Sequence, residues 1–218
     1  MSLAAVAGCM HGPSGELTPA GRRAVLLDPL VPFWNAIAPE AYDVRVETTK
    51  GPFVVRIIRP WAPRGADRFA QLVRSGYYDD SRVSRVVPKF IAQFGIAGDA
   101  AVNAVWAHRT YLDDSVRHSN MRGTIAFATT GPNGRTTQVY INLVDNIRLD
   151  RQGFAPIGRV VEGIDVVDKL YSGYGENSGG GVRAGKQGPL LAGGNAYADR
   201  EYPMLDRITS VRVCPCSR

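Results

Sequence analysis

Hydrophobic and polar residues alternate along several short stretches of the chain. In residues 42–48, Val44 and Val46 alternate with the charged Arg45 and Glu47. This period of two predicts a half-buried strand, and residues 53–58 return after a turn as the second strand of a hairpin. Short strands are also predicted at 85–87, 90–94, 123–129, 138–143, 154–161 and 208–213.

Two other segments place their apolar residues at helical spacing. The first begins at Pro63, which a first helical turn tolerates, and ends before Gly76. The second covers residues 164–170, with Ile164, Val167 and Leu170 on one face. Because the strands do not alternate with helices, the pattern favours a mainly β fold. We expect an antiparallel β-barrel capped by two α-helices rather than a parallel sheet.

The segments at the two ends have a different composition. Residues 10–30 mix Gly, Pro and small side chains and are predicted to be poorly ordered, whereas residues 28–40 can hold a short helical turn. Residues 172–195 are rich in glycine and too long for a simple connection, so they form either a functional insertion or a mobile loop. We expect them to lie along the barrel, away from residues 85–94, with 179–181 mobile.

These patterns divide the chain into two parts. Residues 1–40 are predicted to form an N-terminal tail with a short helical turn. Residues 41–216 are predicted to form one domain that contains the insertion 172–195. A length of 218 residues with 44% hydrophobic residues fits a single domain of this kind.

Charge and motif content exclude several classes of function. The net charge is +6, but the basic residues are scattered, so no nucleic-acid partner is expected. No apolar stretch approaches the length of a membrane span. The three histidines lack metal-ligand spacing, and the three cysteines do not form a disulfide framework. Residues 180–187 resemble a phosphate-binding loop, but they end in Gln187, which has no hydroxyl group for Mg²⁺.

The compartment depends on how the first residues are interpreted. LAAVAGC, residues 3–9, resembles the end of a bacterial lipoprotein signal, although no basic residue precedes it and the apolar run is short. If it is a signal remnant, the protein belongs to the cell envelope or periplasm. If it is an unstructured tail, a cytoplasmic protein is expected.

One strand pair carries candidate chemistry. RVVPKFIAQFG, residues 85–95, places Arg85 before a Pro-Lys break and Phe90, Ile91 and Gln93 after it. An arginine beside apolar side chains is costly to bury unless it is used.

Several motifs in a fixed order make the chain resemble the cyclophilin family of peptidyl-prolyl cis-trans isomerases, in a bacterial-like form with a Gly-rich C-terminal insertion. They are GYYDD, RVVPKFIAQFG, GTIAFATTGPNGRTTQVYIN and LDRQGFAPIGRVVEGIDVVD. The resemblance covers residues 42–170 and the last strand. It implies an eight-stranded antiparallel β-barrel closed by two α-helices. It also implies a monomer that needs no cofactor or metal and acts on proline-containing peptides and folding proteins.

The resemblance also implies roles for individual residues. Arg85 matches the catalytic arginine, and Gln93 matches the amide that orients it. The matches to the proline pocket are Phe90, Ile91, Tyr140 and Leu149. Around them, Phe127 and Ala128 match a strand edge for the substrate backbone, and Gln138 matches a nearby polar wall. Thr129 stands where the family often has an Asn that bonds the substrate backbone. Ile91 stands where a Met is common, and Tyr140 where a Phe is common.

Two rim positions depart from the family pattern. Arg148 stands where many cyclophilins have a Trp that binds cyclosporin, and Phe154 stands where many have a His. We therefore expect weak or no cyclosporin binding. The retained pair of Arg85 and Gln93 favours an active isomerase. The alternative is a catalytically weak cyclophilin-like module that only binds partners containing proline.

Overall fold

The computed structural model describes residues 17–178 and 187–214. In these residues, the α-helices are α1 (Pro19–Leu27), α2 (Pro63–Arg74), α3 (Ala100–Trp106), α4 (Ile164–Asp168) and α5 (Gln187–Glu201). The strands are β1 (Ala41–Thr48), β2 (Gly51–Ile58), β3 (Ser81–Arg82), β4 (Arg85–Val87), β5 (Ile91–Phe94), β6 (Thr124–Phe127), β7 (Val139–Asn142), β8 (Pro156–Glu162) and β9 (Arg207–Cys214). Short 3₁₀ turns occupy Pro32–Asn35, Arg59–Trp61 and Ile147–Gln152.

All nine strands form one antiparallel sheet in the order β3-β9-β1-β2-β8-β6-β7-β5-β4. The mainly β, antiparallel prediction is confirmed, with one strand more than the expected eight, because the two-residue β3 pairs with β9. The first and last strands of this order, β3 and β4, are separated by only two residues of chain. Since two residues span only a few ångströms, the sheet must curve back on itself like a barrel.

Both predicted helices are present, and both bury their apolar faces. In α2, Phe69 and Leu72 are fully buried, and the Phe69 ring contacts Tyr78 and Phe127 in the main core. In α4, Val167 is buried against the same core. The expectation of only two helices was wrong, because the described residues also contain α1, α3 and α5.

The N-terminal segment is more ordered than predicted. Within the stretch 10–30, residues 19–27 form α1, which Thr18 caps by accepting a hydrogen bond from Gly21 N. The indole of Trp106 donates to Leu26 O at 2.9 Å and holds the end of α1 against α3. The helical turn predicted within 28–40 is found at Pro32–Asn35.

The insertion 172–195 is not a single loop. Its last nine residues belong to α5, where Leu190 and Ala198 are buried against Ile96. The segment 179–181 and residues 180–186 of the phosphate-loop resemblance 180–187 lie outside the described residues, as do the signal-like residues 3–9.

The described residues contain no helix long and apolar enough to cross a membrane, and no cluster of His, Cys, Asp and Glu arranged to hold a metal ion. Cys214, at the end of β9, is disulfide-bonded, and one bonded cysteine does not make a disulfide framework.

Candidate active site

A cavity of about 110 Å³ opens beside β4, β5 and β7. This is several times the space that one water molecule needs, so a ring of the size of proline's fits. Ten of the eleven predicted site residues line it, namely Arg85, Phe90, Ile91, Gln93, Ala128, Thr129, Gln138, Tyr140, Leu149 and Phe154. The walls are completed by Thr130, Gly134, Thr136 and Gln187, which were not among the predicted site residues.

Strand register brings the polar residues of the cavity together. Arg85 in β4 lies opposite Gln93 in β5, and Gln93 in turn lies opposite Tyr140 in β7. Side chains at paired positions of an antiparallel sheet point to the same face, so all three point toward the cavity. The Pro88-Lys89 break is the tight turn between β4 and β5, closed by a 3.0 Å hydrogen bond from Phe90 N to Val87 O.

The apolar side of the cavity is a cluster distinct from the main core. Ile91, Ala126, Tyr140 and Leu149 are its buried members, and the partly buried Phe90, Ala128 and Phe154 pack on them. The rings of Tyr140 and Phe154 meet edge to face, with centroids 5.8 Å apart. The partly buried members leave apolar surface open to the cavity, where a small ring can replace water.

Phe127 is the predicted site residue that does not line the cavity. Its side chain is buried in the main core, where it meets the rings of Phe69 and Tyr111. Because side chains alternate along a strand, Phe127 can offer a substrate only its backbone. The pairing of β6 with β8 ends at Ala126, one residue before Phe127.

The Arg85 guanidinium is held by several neighbours. Its side chain is 13% exposed. Nη1 donates to Gln93 Oε1 at 3.1 Å, and Nη2 donates to a carboxylate oxygen of Glu176. The guanidinium also lies over the Phe90 ring, 5.5 Å from its centroid. Nε is buried, and in the part of the chain that the structure describes it has no hydrogen-bond partner.

A row of amides continues from Arg85 along the cavity wall. Gln93 Nε2 donates to Gln138 Oε1 at 2.8 Å, and Gln138 Nε2 donates to Gln187 Oε1 at 3.3 Å. Gln93 Oε1 accepts from the Arg85 guanidinium, so the amide nitrogen of Gln93 faces Gln138. Each amide in the row therefore has a defined orientation. Thr129 is engaged in its own turn, where its hydroxyl accepts from Gly131 N at 3.1 Å.

The placement of Glu176 and Gln187 corrects the prediction that the insertion lies away from Arg85. Both residues belong to 172–195, yet Glu176 contacts Arg85 and Gln187 lines the cavity. Chain order alone did not predict this placement, because α5 packs on α3 and on Ile96, which follows β5. Nothing in the local sequence pattern marks these two residues as part of a site.

A polar network lies behind the apolar pocket. The buried Tyr140 hydroxyl donates to Asn120 Oδ1 at 2.9 Å, and Asn120 Nδ2 donates to Asp150 and to the backbone of Phe154. Burial raises the pKa of Tyr140 well above its ordinary value, which the nearby Arg135 opposes only in part. The phenol therefore stays neutral and acts as a hydrogen-bond donor.

Arg148 is an exposed cation on the rim of the cavity. Its guanidinium lies over the Phe90 ring, 5.0 Å from the centroid. The Phe90 ring therefore contacts two guanidinium groups, that of Arg148 and that of Arg85. A ring placed this way stabilises each cation through its π-face and fixes the edge of the pocket.

Comparison with known proteins places this chain in a family. Residues 43–186 match the family model described as cyclophilin type peptidyl-prolyl cis-trans isomerase/CLD. A peptidyl-prolyl cis-trans isomerase of Acinetobacter baylyi is 31% identical over 154 residues, 68% of this chain and 81% of that protein. Peptidyl-prolyl cis-trans isomerase A of Dickeya dadantii is 33% identical over 149 residues, 65% of this chain and 77% of that protein.

Solved structures show the same fold. A cyclophilin type peptidyl-prolyl cis-trans isomerase of Cryptosporidium parvum superposes with a TM-score of 0.59 at 17% identity, over 81% of this chain and 99% of that chain. A crystal structure of that protein obtained in the presence of the dipeptide Ala-Pro gives a TM-score of 0.56 at 18% identity, with the same coverage.

Proposed function

The chain belongs to the cyclophilin family of peptidyl-prolyl cis-trans isomerases, and from this premise we propose that it accelerates rotation about X-Pro bonds at the Arg85 cavity. The observation that carries the proposal is the placement of one oriented guanidinium at the edge of an apolar cavity of proline size. The reaction breaks no bond permanently and moves no proton to a second molecule. It therefore needs neither a nucleophile nor a general base.

The barrier sets how much stabilisation the site must supply. Rotation about an X-Pro bond breaks amide resonance and costs ~20 kcal/mol, so it takes tens to hundreds of seconds. Acceleration to milliseconds is a factor of about 10⁴, or about 5–6 kcal/mol of transition-state stabilisation. One or two well-oriented charged donors and an apolar pocket are sufficient for a gain of this size.

Arg85 supplies the charged donors. In the twisted amide, the prolyl nitrogen regains its lone pair, and an N–H aimed at it favours this state over the planar one. Arginine suits the role because it stays charged and presents its donors in one plane. Gln93 accepts a hydrogen bond from Nη1 and so helps to orient the guanidinium before the substrate arrives.

The remaining cavity residues hold the two sides of the substrate. Phe90, Ile91 and Leu149 surround the proline ring with apolar surface. The backbone at Ala128 and the amide of Gln138 lie along the wall where the substrate chain would run. The substrates proposed are exposed X-Pro segments of peptides and of unfolded or folding proteins.

The alternative, a module that binds proline-containing partners with little catalysis, rests on the altered rim at Arg148 and Phe154. A protease-coupled assay on an Ala-Pro peptide decides between the two, because only an isomerase converts the cis fraction faster than the uncatalysed rate.

The test of the catalytic role is Arg85→Ala. We expect kcat/KM to fall about 100-fold or more, the range seen when one preorganised donor is lost, with an unchanged melting curve. Arg200→Ala is the matched control, since Arg200 is an exposed arginine on α5 whose removal should not change the rate. If Arg85→Ala kept wild-type kcat/KM while folded, the proposed mechanism would be wrong.

The altered rim leads to a second prediction, for cyclosporin. Arg148 lacks the indole N–H and flat ring of the Trp found there in many cyclophilins, a difference of about 1–3 kcal/mol. We expect Arg148→Trp to strengthen binding about ten- to a hundredfold in titration calorimetry. Nanomolar binding by the wild-type protein would contradict this expectation.

A further inference from the structure

Arg85 has an acidic neighbour that the proposed mechanism does not use. A carboxylate oxygen of Glu176 accepts a hydrogen bond from Arg85 Nη2, whereas Gln93 accepts from the other terminal nitrogen, Nη1. The Glu176 side chain is 41% exposed. Among the described residues, those that line the cavity do not include Glu176. It therefore reaches the arginine from outside the pocket and leaves the space for the proline ring open.

The segment that carries Glu176 is fixed to the barrel on both sides. Ser178, which is 1% exposed, donates to Ser84 O at 2.6 Å, and Ser84 immediately precedes Arg85. On Asn177, the backbone oxygen accepts from the Tyr202 hydroxyl at 2.8 Å. At the start of the segment, Tyr171 N donates to Asp206 at 2.6 Å. These bonds hold Glu176 at a set distance from Arg85.

The donors of Arg85 can be counted. A guanidinium has five N–H donors in one plane. One is given to Gln93 and one to Glu176, while the buried Nε–H is turned away from solvent. Among the described residues, the remaining N–H on each terminal nitrogen has no hydrogen-bond partner, so it is left for the substrate. Acceptors on both terminal nitrogens fix the plane in which these two donors lie.

We propose that Glu176 is a positioning residue for the reaction, which fixes the Arg85 guanidinium together with Gln93. This inference rests on the proposed function of Arg85. Arginine has a long, flexible side chain, and a single acceptor at Nη1 still allows the plane to rotate about that contact. The second acceptor removes this freedom. Donors that are already fixed in the ground state need no reorganisation when the amide twists.

The first experiment measures kcat and KM separately for Glu176→Ala and Glu176→Gln. The alanine variant should lose about tenfold in kcat with KM within about twofold, because the pocket is intact while the donor is less well oriented. The glutamine variant keeps an acceptor at the same place and should retain at least about half of the wild-type kcat.

Glu201→Ala is the matched control for these variants. Glu201 is 44% exposed and pairs with Arg200, far along α5 from the cavity, so its loss should change neither constant. If Glu176→Ala turned over at the wild-type rate, Glu176 would have no role in the reaction. A faster rate would make the contact inhibitory, and either result would overturn the proposal.

A second experiment does not depend on activity. NMR spectra of the ¹⁵N-labelled guanidinium of Arg85, assigned with Arg85→Ala, should show separate, slowly rotating terminal N–H groups in the wild type and in Glu176→Gln. In Glu176→Ala these signals should merge. An Arg85 spectrum that is unchanged in Glu176→Ala would overturn the proposal even if the enzyme is active. Absence of isomerase activity in a wild type with the expected spectra would instead contradict the proposed function.

Discussion

At the scale of single residues, Tyr140 places one polar atom, its hydroxyl oxygen, among the apolar residues of the pocket. By resemblance, its position commonly holds a Phe, and a buried hydroxyl without a partner costs about 1–3 kcal/mol. Asn120, which is fully buried, accepts from this hydroxyl and also donates to Asp150 and to the backbone of Phe154. The tyrosine at position 140 is thus part of a hydrogen-bond network that also holds Phe154 on the rim.

Asp150 makes this network sensitive to acid. Burial raises the pKa of its carboxyl, but hydrogen bonds from Asn120 and Ser119 to the ionised form outweigh this and lower the pKa below its ordinary value of 3.8. A carboxyl with a lowered pKa in the folded state stabilises the protein above the pKa of the unfolded state. That stabilisation is lost as the pH falls through the folded value.

We therefore expect the free energy of unfolding of the wild type to fall more steeply than that of Asp150→Asn below about pH 4. Urea unfolding at a series of pH values, monitored by circular dichroism, measures both curves. Parallel curves through this range would show that the hydrogen bonds of Asp150 do not depend on its charge.

At the scale of elements, the hairpin of β4 and β5 was predictable because its signals are local. Pro88 marks the turn, and the spacing from Arg85 to Gln93 fixes their pairing across it. The contacts of Glu176 and Gln187 were not predictable, because they depend on how distant segments pack on the barrel.

Helix α5 was missed for a related reason. Its sequence contains a proline and three glycines, so its helicity depends on burial of Leu190 and Ala198 rather than on propensity.

The kink in α5 depends on one glycine. Gly194 has φ of 53° and lies against Gly98, where an added methyl carbon would be 2.3 Å from the carbonyl oxygen. The next residue, Asn195, donates its backbone N–H to the same oxygen at 2.9 Å. We expect Gly194→Ala to lower the free energy of unfolding by at least about 2 kcal/mol, because it combines backbone strain with a backbone clash.

Gly188 in the same helix is the control. It is exposed, and in the described part of the chain no atom outside its own neighbourhood lies within 4 Å of the place where a methyl carbon would be added. Gly188→Ala should be neutral or stabilising by up to about 1 kcal/mol. Urea unfolding of both variants compares a glycine that the fold requires with one that it does not. Equal stability of the two variants would show that α5 can release its kink without cost.

At the scale of the whole molecule, the segment before the barrel packs on it through aromatic and polar contacts. The ring centroid of Trp34 lies 4.4 Å from the ring centroid of the buried Trp106 in α3. Gln71 in α2 donates to Ala36 O at 2.9 Å, and Ala38 N donates to Asp67 at 2.8 Å. The division at residue 40 stays a prediction, but in the described residues the segment 19–38 is bound to both α2 and α3.

Trp34 tests whether this segment contributes to the stability of the barrel. Trp34→Ala removes the ring that covers Trp106 and should cost about 2 kcal/mol, less than for a fully buried aromatic because Trp34 is only partly buried. Ile37→Ala is the control, since its side chain is 69% exposed and its loss should have little effect. Urea unfolding should be monitored by circular dichroism, since the substitution removes a fluorophore.

Because Trp34 lies outside the residues described as lining the cavity, kcat/KM should stay at the wild-type value. A Trp34→Ala variant as stable as Ile37→Ala would mean that the segment packs on the barrel without stabilising it. A loss of activity at unchanged stability would instead mean that α3 transmits a change from Trp106 to the cavity.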